Sequence, residues 1–373
     1  MKKRYYTFFA LLSLIVIGAI VYFYKTNNSL SSGKSKNKGN SIVEKDTSQQ
    51  WAIEENTQQK TLQAVVPSPD GKYTLLKIKS PQRSQRDALE VLLIDNEKKS
   101  VLWKTPKTLY SFLPQWSPDG KYISVISFDP KSNNYGLWLV SPRTYNAVLS
   151  FSGNQQFLGY KWAPNSQALA LLYGVNEGIE TSASYEPGTI KMKVYLSIVP
   201  VNVPFKGWTR TGMLSLPNYL IPLYNEEPQK VIDWFPDSEE IAFVSQSPEP
   251  SLSGLFKINL TNKSISLVQE GGSPLFPAFS PDGKTIAFVA DSDPSQDFAV
   301  KSRQVFLRNV EGTEKRSLSK TFSEDPHIIG WGEDDKYLLI QEGYKTLNRL
   351  YKLPLNGEKP EAVNLRDESL YQL

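Results

Sequence analysis

The sequence contains no cysteine, a single histidine and three methionines. Without cysteine there are no disulfides, no thiolate metal ligands and no cysteine nucleophile, so stability has to come from packing alone. With His327 as the only imidazole, a structural or catalytic zinc site lacks ligands. A Ser-His-Asp triad would have one possible base, and His327 stands at the start of a first-strand segment, where a structural or rim role is expected. No G-x-S-x-G elbow occurs. The run "DSDPSQD" (Asp291, Asp293, Asp297) lacks the glycine and terminal glutamate of an EF-hand loop and is expected to be a solvated loop. No metal, cofactor or catalytic residue is therefore predicted.

Basic charge is also missing where it would matter for nucleic acid. The chain carries a formal charge of +4, but residues 1–48 hold eight lysines and arginines against two acids, which leaves −2 for residues 49–373. The basic balance belongs to the N-terminal tail, and nucleic acid is not an expected partner.

Charge is absent altogether from "YYTFFALLSLIVIGAIVYFY", residues 5–24. As a helix this run would span about 30 Å at 1.5 Å per residue, the thickness of a bilayer core. Aromatic residues at both ends and the basic Lys2, Lys3 and Arg4 predict an uncleaved anchor with residues 1–4 in the cytoplasm and the rest of the chain outside it. A cleaved signal peptide would have a shorter apolar run ending in small residues. Residues 25–50 are rich in Ser, Asn and Lys and read as a flexible polar stalk.

What the sequence does have is a phrase repeated six times. "AVVPSPDGKYTLLKI" (64–78), "LPQWSPDGKYISVIS" (113–127), "GYKWAPNSQALALLY" (159–173), "VIDWFPDSEEIAFVS" (231–245), "FPAFSPDGKTIAFVA" (276–290) and "IIGWGEDDKYLLIQE" (328–342) align on Asp70, Asp119, Asn165, Asp237, Asp282 and Asp334. The intervals are 49, 46, 72, 45 and 52 residues. Three residues before these positions stand Pro67, Trp116, Trp162, Trp234, Phe279 and Trp331, an aromatic column expected to be a repeated core position. The S-P-D-G order suits a type I turn: proline presets φ, Asp70, Asp119, Asp237 and Asp282 occupy the third position, and Gly71, Gly120 and Gly283 are free to take φ > 0. The flanking runs alternate or are continuously apolar and β-branched, as strands are. Each period contains four such runs. Six periods predict an all-β six-bladed propeller with four-stranded antiparallel blades over 51–373, preceded by one transmembrane helix.

The phrases "WSPDGKYI", "FSPDGKTIAFV" and "FPDSEEIAFVS" resemble the WD-like repeat of the TolB-type propellers, which also occurs in the propeller domains of prolyl oligopeptidase relatives. The resemblance covers about residues 61–366 and implies the fold. TolB-type proteins carry an α/β domain before the propeller, where this chain has the apolar span and stalk.

The 72-residue interval places extra sequence in the third repeat, about 174–230, carrying Tyr185, Trp208, Arg210 and Tyr219. These four are the candidate binding residues if the insertion is a lid; the alternative is a spacer or an extension of the outer strands. Together these features lead to the expectation of a non-enzymatic, membrane-anchored, extracytoplasmic propeller. It would bind a protein, peptide or glycan partner of the bacterial envelope. The alternatives are a glycosidase-like enzyme with Asp or Glu at the channel mouth and a docking subunit of an envelope complex. The anchor predicts that full-length protein sediments with membranes and needs detergent for release; recovery in the soluble fraction without detergent would contradict it.

Overall fold

The computed structural model describes residues 60–363 except 81–87, 107–108, 154–155, 180–189, 202–212, 215, 217–220, 222–227, 247–250, 252, 292–302, 312–314, 319–324, 333–334 and 345–346. The expected anchor and stalk lie outside these residues. Among the described residues no helix is long and apolar enough to cross a membrane. The architecture is all-β: six four-stranded antiparallel sheets, the blades of a six-bladed propeller.

Two compact units make up the chain. The first takes the described residues of Met1–Trp116 with Gly120–Pro130 and Val140–Asn146, and the second those of Ser117–Asp119, Lys131–Leu139 and Ala147–Leu373. Sheet 1 consists of β1 (Thr61–Pro67), β2 (Tyr73–Ser80), β3 (Ala88–Asp95) and β4 (Ser100–Lys104), and sheet 2 of β5 (Tyr110–Trp116), β6 (Ile123–Asp129), β7 (Asn134–Val140) and β8 (Ala147–Gly153). Sheet 3 holds β9 (Gln156–Trp162), β10 (Ala168–Ile179), β11 (Ile190–Pro200) and the two-residue β12 (Met213–Leu214). Sheet 4 holds β13 (Ile232–Trp234), β14 (Glu240–Gln246), β15 (Ser253–Asn259) and β16 (Ile265–Glu270). Sheet 5 holds β17 (Leu275–Phe279), β18 (Thr285–Asp291), β19 (Arg303–Asn309) and β20 (Lys315–Ser317). Sheet 6 holds β21 (His327–Trp331), β22 (Tyr337–Tyr344), β23 (Leu347–Pro354) and β24 (Glu361–Ala362). Its last strand comes from the C-terminal segment, since β24 pairs with β23 through Tyr351↔Ala362.

Part of the extra length in sheet 3 goes into strand. β10 and β11 have 12 and 11 residues and stay paired out to Ile179↔Ile190, beyond the Gly174↔Gln156 pair where β9 ends. The excess therefore begins as a longer hairpin. Tyr185, Trp208, Arg210 and Tyr219 lie outside the described residues.

The repeated turn is built from side-chain chemistry that its sequence spells out. In the first copy, Ser68 Oγ donates to Asp70 Oδ1 (2.7 Å) and accepts from Tyr73 N, while Lys72 N donates to Asp70 Oδ1. The copy at 280–285 repeats this, with Ser280 Oγ 2.6 Å from Asp282 Oδ1, and Ser117 Oγ lies 2.7 Å from Asp119 Oδ1. Asn165 and Asp237 accept from Gln167 N and Glu239 N in the same way. The turn closes through a bond from the fourth residue to the first carbonyl, as from Gly71 N to Ser68 O and Gly283 N to Ser280 O. These bonds hold the carboxyls of Asp70 and Asp282 below their ordinary range: Ser280 and Lys284 N act on Asp282, and Ser68 and Lys72 outweigh burial at Asp70.

All six turns put the fourth residue in the left-handed region, at Gly71 (φ 71°), Gly120 (69°), Ser166 (61°), Ser238 (67°), Gly283 (71°) and Asp335 (54°). Three copies do so without glycine, at a cost of about 1–2 kcal/mol. At two of them the side chain offsets that cost. Ser166 Oγ accepts from Asp119 N of the preceding turn (3.0 Å), and Ser238 Oγ accepts from Asn165 N (3.1 Å). At Gly283 a side chain is excluded as well as unneeded, because a Cβ would lie 2.9 Å from Phe235 Cε1.

The aromatic column ties sheets 2, 4 and 6 each to the one before. Trp116 Nε1 donates to Val66 O (3.1 Å), Trp234 Nε1 to Lys161 O (3.0 Å) and Trp331 Nε1 to Ala278 O (3.0 Å). In each case the acceptor immediately precedes the column residue of the earlier copy. Trp116, Trp162, Trp234 and Phe279 are buried, and Trp331 packs half-buried against the core of the second unit. Phe279 has no indole N–H. There the link is made differently: Asp233, next to Trp234, accepts the backbone N–H of Phe279 on Oδ2 (2.8 Å) and pairs with Lys161 through Oδ1. One carboxylate thus joins sheets 3, 4 and 5.

The cores follow from this arrangement. Leu75, Val91, Leu93, Trp116, Ile123, Val125 and Val140 pack together in the first unit. In the second, Trp234, Phe243, Phe256, Phe279, Phe288 and Phe306 are among the buried side chains of one continuous cluster.

Two outcomes follow. Trp234→Phe keeps the ring but strands the Lys161 carbonyl, and should lower unfolding free energy by about 1–3 kcal/mol in denaturant titration. Ser238→Ala keeps the φ strain and loses the hydroxyl, costing about 0.5–1.5 kcal/mol, whereas Ser238→Gly loses both and should stay closer to the parent. A Ser238→Ala protein as stable as the parent would show that the hydroxyl contributes nothing.

Candidate functional site

A four-stranded meander has two ends. The first-to-second and third-to-fourth connections leave from one, and the second-to-third connection and the crossing to the next sheet from the other. The repeated turns, S-P-D-G in sheets 1, 2 and 5, occupy the first end in every sheet. In sheets 4–6 the opposite end brings a cluster of charged side chains together.

The cluster starts from a cross-strand pair. Asp291 ends β18 and Arg303 opens β19 in register with it, so opposite charges face each other at the loop end of the hairpin. The Asp291 carboxyl is buried, with 2% of its side chain exposed, and its Oδ1 lies 3.7 Å from Arg303 Nε. The guanidinium then reaches outward: Nη1 is 3.7 Å from Oδ1 of Asp325, whose side chain is 62% exposed. Asp325 Oδ2 is 3.6 Å from His327 Nε2, at the start of β21. The imidazole packs on Phe276 of β17 with ring centroids 4.5 Å apart. Above the same phenyl ring, at 5.6 Å, stands Nζ of Lys230, from a 3-10 turn (Pro228–Lys230) ahead of β13.

Phe276 owes its position to a backbone irregularity. The β17–β18 register jumps between Leu275 and Ala278, and Phe276 takes φ 52°. A bulky side chain there is strained. Leu113, three residues before Trp116 as Phe276 is before Phe279, has φ 51° beside a similar jump between Phe112 and Gln115. The strain is thus a recurring device of the first strands, and in sheet 5 it presents an aromatic ring to the charged cluster.

Pairing with His327 holds the Asp325 carboxyl below the ordinary carboxylate range, outweighing its partial burial, and Arg303 and Lys230 act in the same direction. Asp325 is consequently an ionised, solvent-facing carboxylate seated on a guanidinium and an imidazole. Among the described residues His327 meets Asp325 and Phe276 but no serine hydroxyl, so no Ser-His-Asp triad is assembled there. Among the described residues the carboxyls that shift, Asp70, Asp282 and Asp325, all shift downward, opposite to what a glycosidic general acid needs. Nor do the described residues contain a group of three or more metal-ligating side chains.

Sequence reasoning reached this cluster only at its margins. Asp291 was singled out for its neighbours Asp293 and Asp297, which lie outside the described residues; its observed partner is Arg303. Lys230, Phe276, Arg303 and Asp325 carry no motif. Their shared signal is position, beside the long connections that leave the end opposite the repeated turn. The turn aspartates Asp70, Asp119, Asp237 and Asp282 are spent on their own hydrogen bonds and do not gather into a site, and Asp334 lies outside the described residues.

No family model matches the chain. Two curated proteins with similar sequences are dipeptidyl-peptidase 5 of Porphyromonas gingivalis, 21% identical over 325 residues, and dipeptidyl-peptidase 5 of Trichophyton equinum, 23% identical over 356 residues. The matches take in 79% and 80% of this chain but 46% and 48% of those proteins, so the chain spans about half the length of the curated relatives it matches. Among solved structures, the acylaminoacyl peptidase of Pyrococcus horikoshii aligns at TM-score 0.56 and 11% identity, over 83% of this chain and 46% of that one. The β-propeller domain of the Trilobed protease from Pyrococcus furiosus aligns at TM-score 0.54 and 12% identity, over 82% and 86%. An oligogalacturonate lyase reaches TM-score 0.53 at 13% identity, over 78% and 76%. TolB from Acinetobacter baumannii is also a neighbour, at TM-score 0.42 and 14% identity, over 80% and 61%. At these identities the structural likenesses establish the fold alone.

The sequence relatives are named as dipeptidyl-peptidases, and this overturns the expectation of a non-enzymatic binding scaffold. The reason for the error is physical. The six-fold phrase is turn and core chemistry, which is common to propellers whatever they do, so its dominance in the sequence spoke for architecture and was silent on activity.

Proposed function

We propose that this chain takes part in peptide hydrolysis, as the β-propeller of a peptidase of the dipeptidyl-peptidase 5 kind, and that peptide meets it at the Asp325–His327 end of sheets 4–6. The observation that carries this reading is the match to dipeptidyl-peptidase 5 over about four fifths of the chain. The geometry of the cluster supports it. Fixed charges of both signs stand beside the Phe276 ring, a surface complementary to a short peptide with charged ends and apolar side chains. The groups that attack the peptide bond come, on this reading, from outside the described residues, and the propeller receives and orients the substrate. The charge-free run over 5–24 supports a membrane-anchored, extracytoplasmic placement, and the insertion at 174–230 is a second region for peptide contact.

The test uses the full chain. Saturable binding of fluorescently labelled mixed-sequence hexapeptides, measured by anisotropy and competed by unlabelled peptide, is the expected result, and release of the chromophore from dipeptidyl anilides would extend it to catalysis. Failure to bind any peptide of the pool, or binding of acidic oligosaccharides in its place, would overturn the proposal.

A further inference from the structure

We infer that Arg303, His327 and Lys230 form a binding site for a peptide carboxylate, and that the side chain of Asp325 occupies this site in the present structure and must be displaced when a ligand arrives. The inference rests on the reading of the chain as a peptide-handling propeller and names the chemistry by which it would hold its ligand.

The cations are prepared for such a ligand from behind. Arg303 is anchored by Asp291, whose carboxyl is almost wholly buried, so one charge of the guanidinium's surroundings is fixed on the inner side. A desolvated partner of this kind orients the guanidinium toward the outer side, where its planar donors match a carboxylate. His327 is held by its packing on Phe276, and Lys230 stands over the same ring. Arg303 and His327, from sheets 5 and 6, thereby meet at one exposed point, and the Lys230 charge, from the lead-in to sheet 4, acts on the same place.

At that point sits a carboxylate of the chain itself. Asp325 approaches Arg303 at 3.7 Å and His327 at 3.6 Å, outside the 2.7–3.2 Å of a well-formed N–H···O bond. Its side chain is 62% exposed. A solvent-facing ion pair contributes little to stability, so an incoming carboxylate that forms short, charge-assisted bonds can replace it. Asp325 then acts as an internal competitor that sets the threshold for binding. Two sources of carboxylate fit the site equally in chemistry: the C-terminus of a peptide and a Glu or Asp side chain.

Anisotropy titrations of the full chain against four versions of one labelled hexapeptide test this. The versions carry a free acid or an amide at the C-terminus, each with Glu or Gln at one internal position. For the parent protein, at least one carboxylate form should bind about tenfold more tightly than the Gln amide, the magnitude of one charge-assisted hydrogen bond. Preference for the free acid assigns the site to the peptide terminus, and preference for the Glu amide to side chains. Arg303→Gln should abolish the preference. Lys230→Gln, at a position outside the sheets, should reduce the preference several-fold and serves if Arg303→Gln misfolds. Asp325→Asn discriminates by sign: removal of the competitor should raise carboxylate affinity at least threefold, whereas a purely structural Asp325 would leave it unchanged or lower it. Equal binding of all four peptides, or no gain in Asp325→Asn, overturns the carboxylate site while the peptide-handling reading stands. Absence of binding by every peptide overturns both.

Discussion

The fold depends on one repeated contact, the indole N–H of a column tryptophan donating to a backbone carbonyl of the preceding sheet. A four-stranded sheet of this size has two faces to bury and a first strand whose outward carbonyls need donors. The tryptophan meets both needs with one side chain, since its ring fills the space between sheets and its nitrogen closes the polar account at the ring's edge. Where the column changes to Phe279, the ring is kept and the donor is lost. Asp233 then supplies a carboxylate to the backbone of sheet 5 and draws Lys161 of sheet 3 into the same contact. At this junction the hydrogen bond between neighbouring sheets is kept although the indole is not.

A second layer of ties runs through the turns. A left-handed residue is needed in all six, and glycine meets the need without strain in three. Ser166 and Ser238 accept the strain and offer a hydroxyl to the neighbouring turn. At these two positions the departure from the consensus phrase exchanges a local cost for a contact with the neighbouring turn.

Because turns and column use one end and the inner faces of the sheets, the other end is left to vary. The longer connections of sheets 3 to 5, between β10 and β11, β18 and β19, and on into β13 and β21, all leave from it. Fixed sheets with variable connections at one end are a general arrangement for placing functional groups on a rigid support. Here that end carries Asp291, Arg303, Asp325, His327, Phe276 and Lys230, drawn from positions about 100 residues apart in the chain. The strained backbone at Phe276 illustrates the economy: the same irregularity serves Leu113 in sheet 2 as plain architecture, and in sheet 5 it presents a ring against which two donor groups are held.

The sequence by itself determined the sheets. Strand runs such as "LEVLLID" and "GLFKINL" fall within a residue of β3 and β15, and the S-P-D-G turns form as their residues dictate, because turn geometry and strand alternation are local properties carried by adjacent side chains. The partners of the column tryptophans were not legible, since a carbonyl acceptor has no identity in the sequence and lies 50 or more residues away. The charged cluster was hidden for the same reason, each member being an ordinary surface residue until the sheets bring it beside the others. Activity was hidden more deeply still: the phrase that repeats is the part that every blade must share, whereas a binding site needs the blades to differ. Only the tertiary structure decides which of those differences meet.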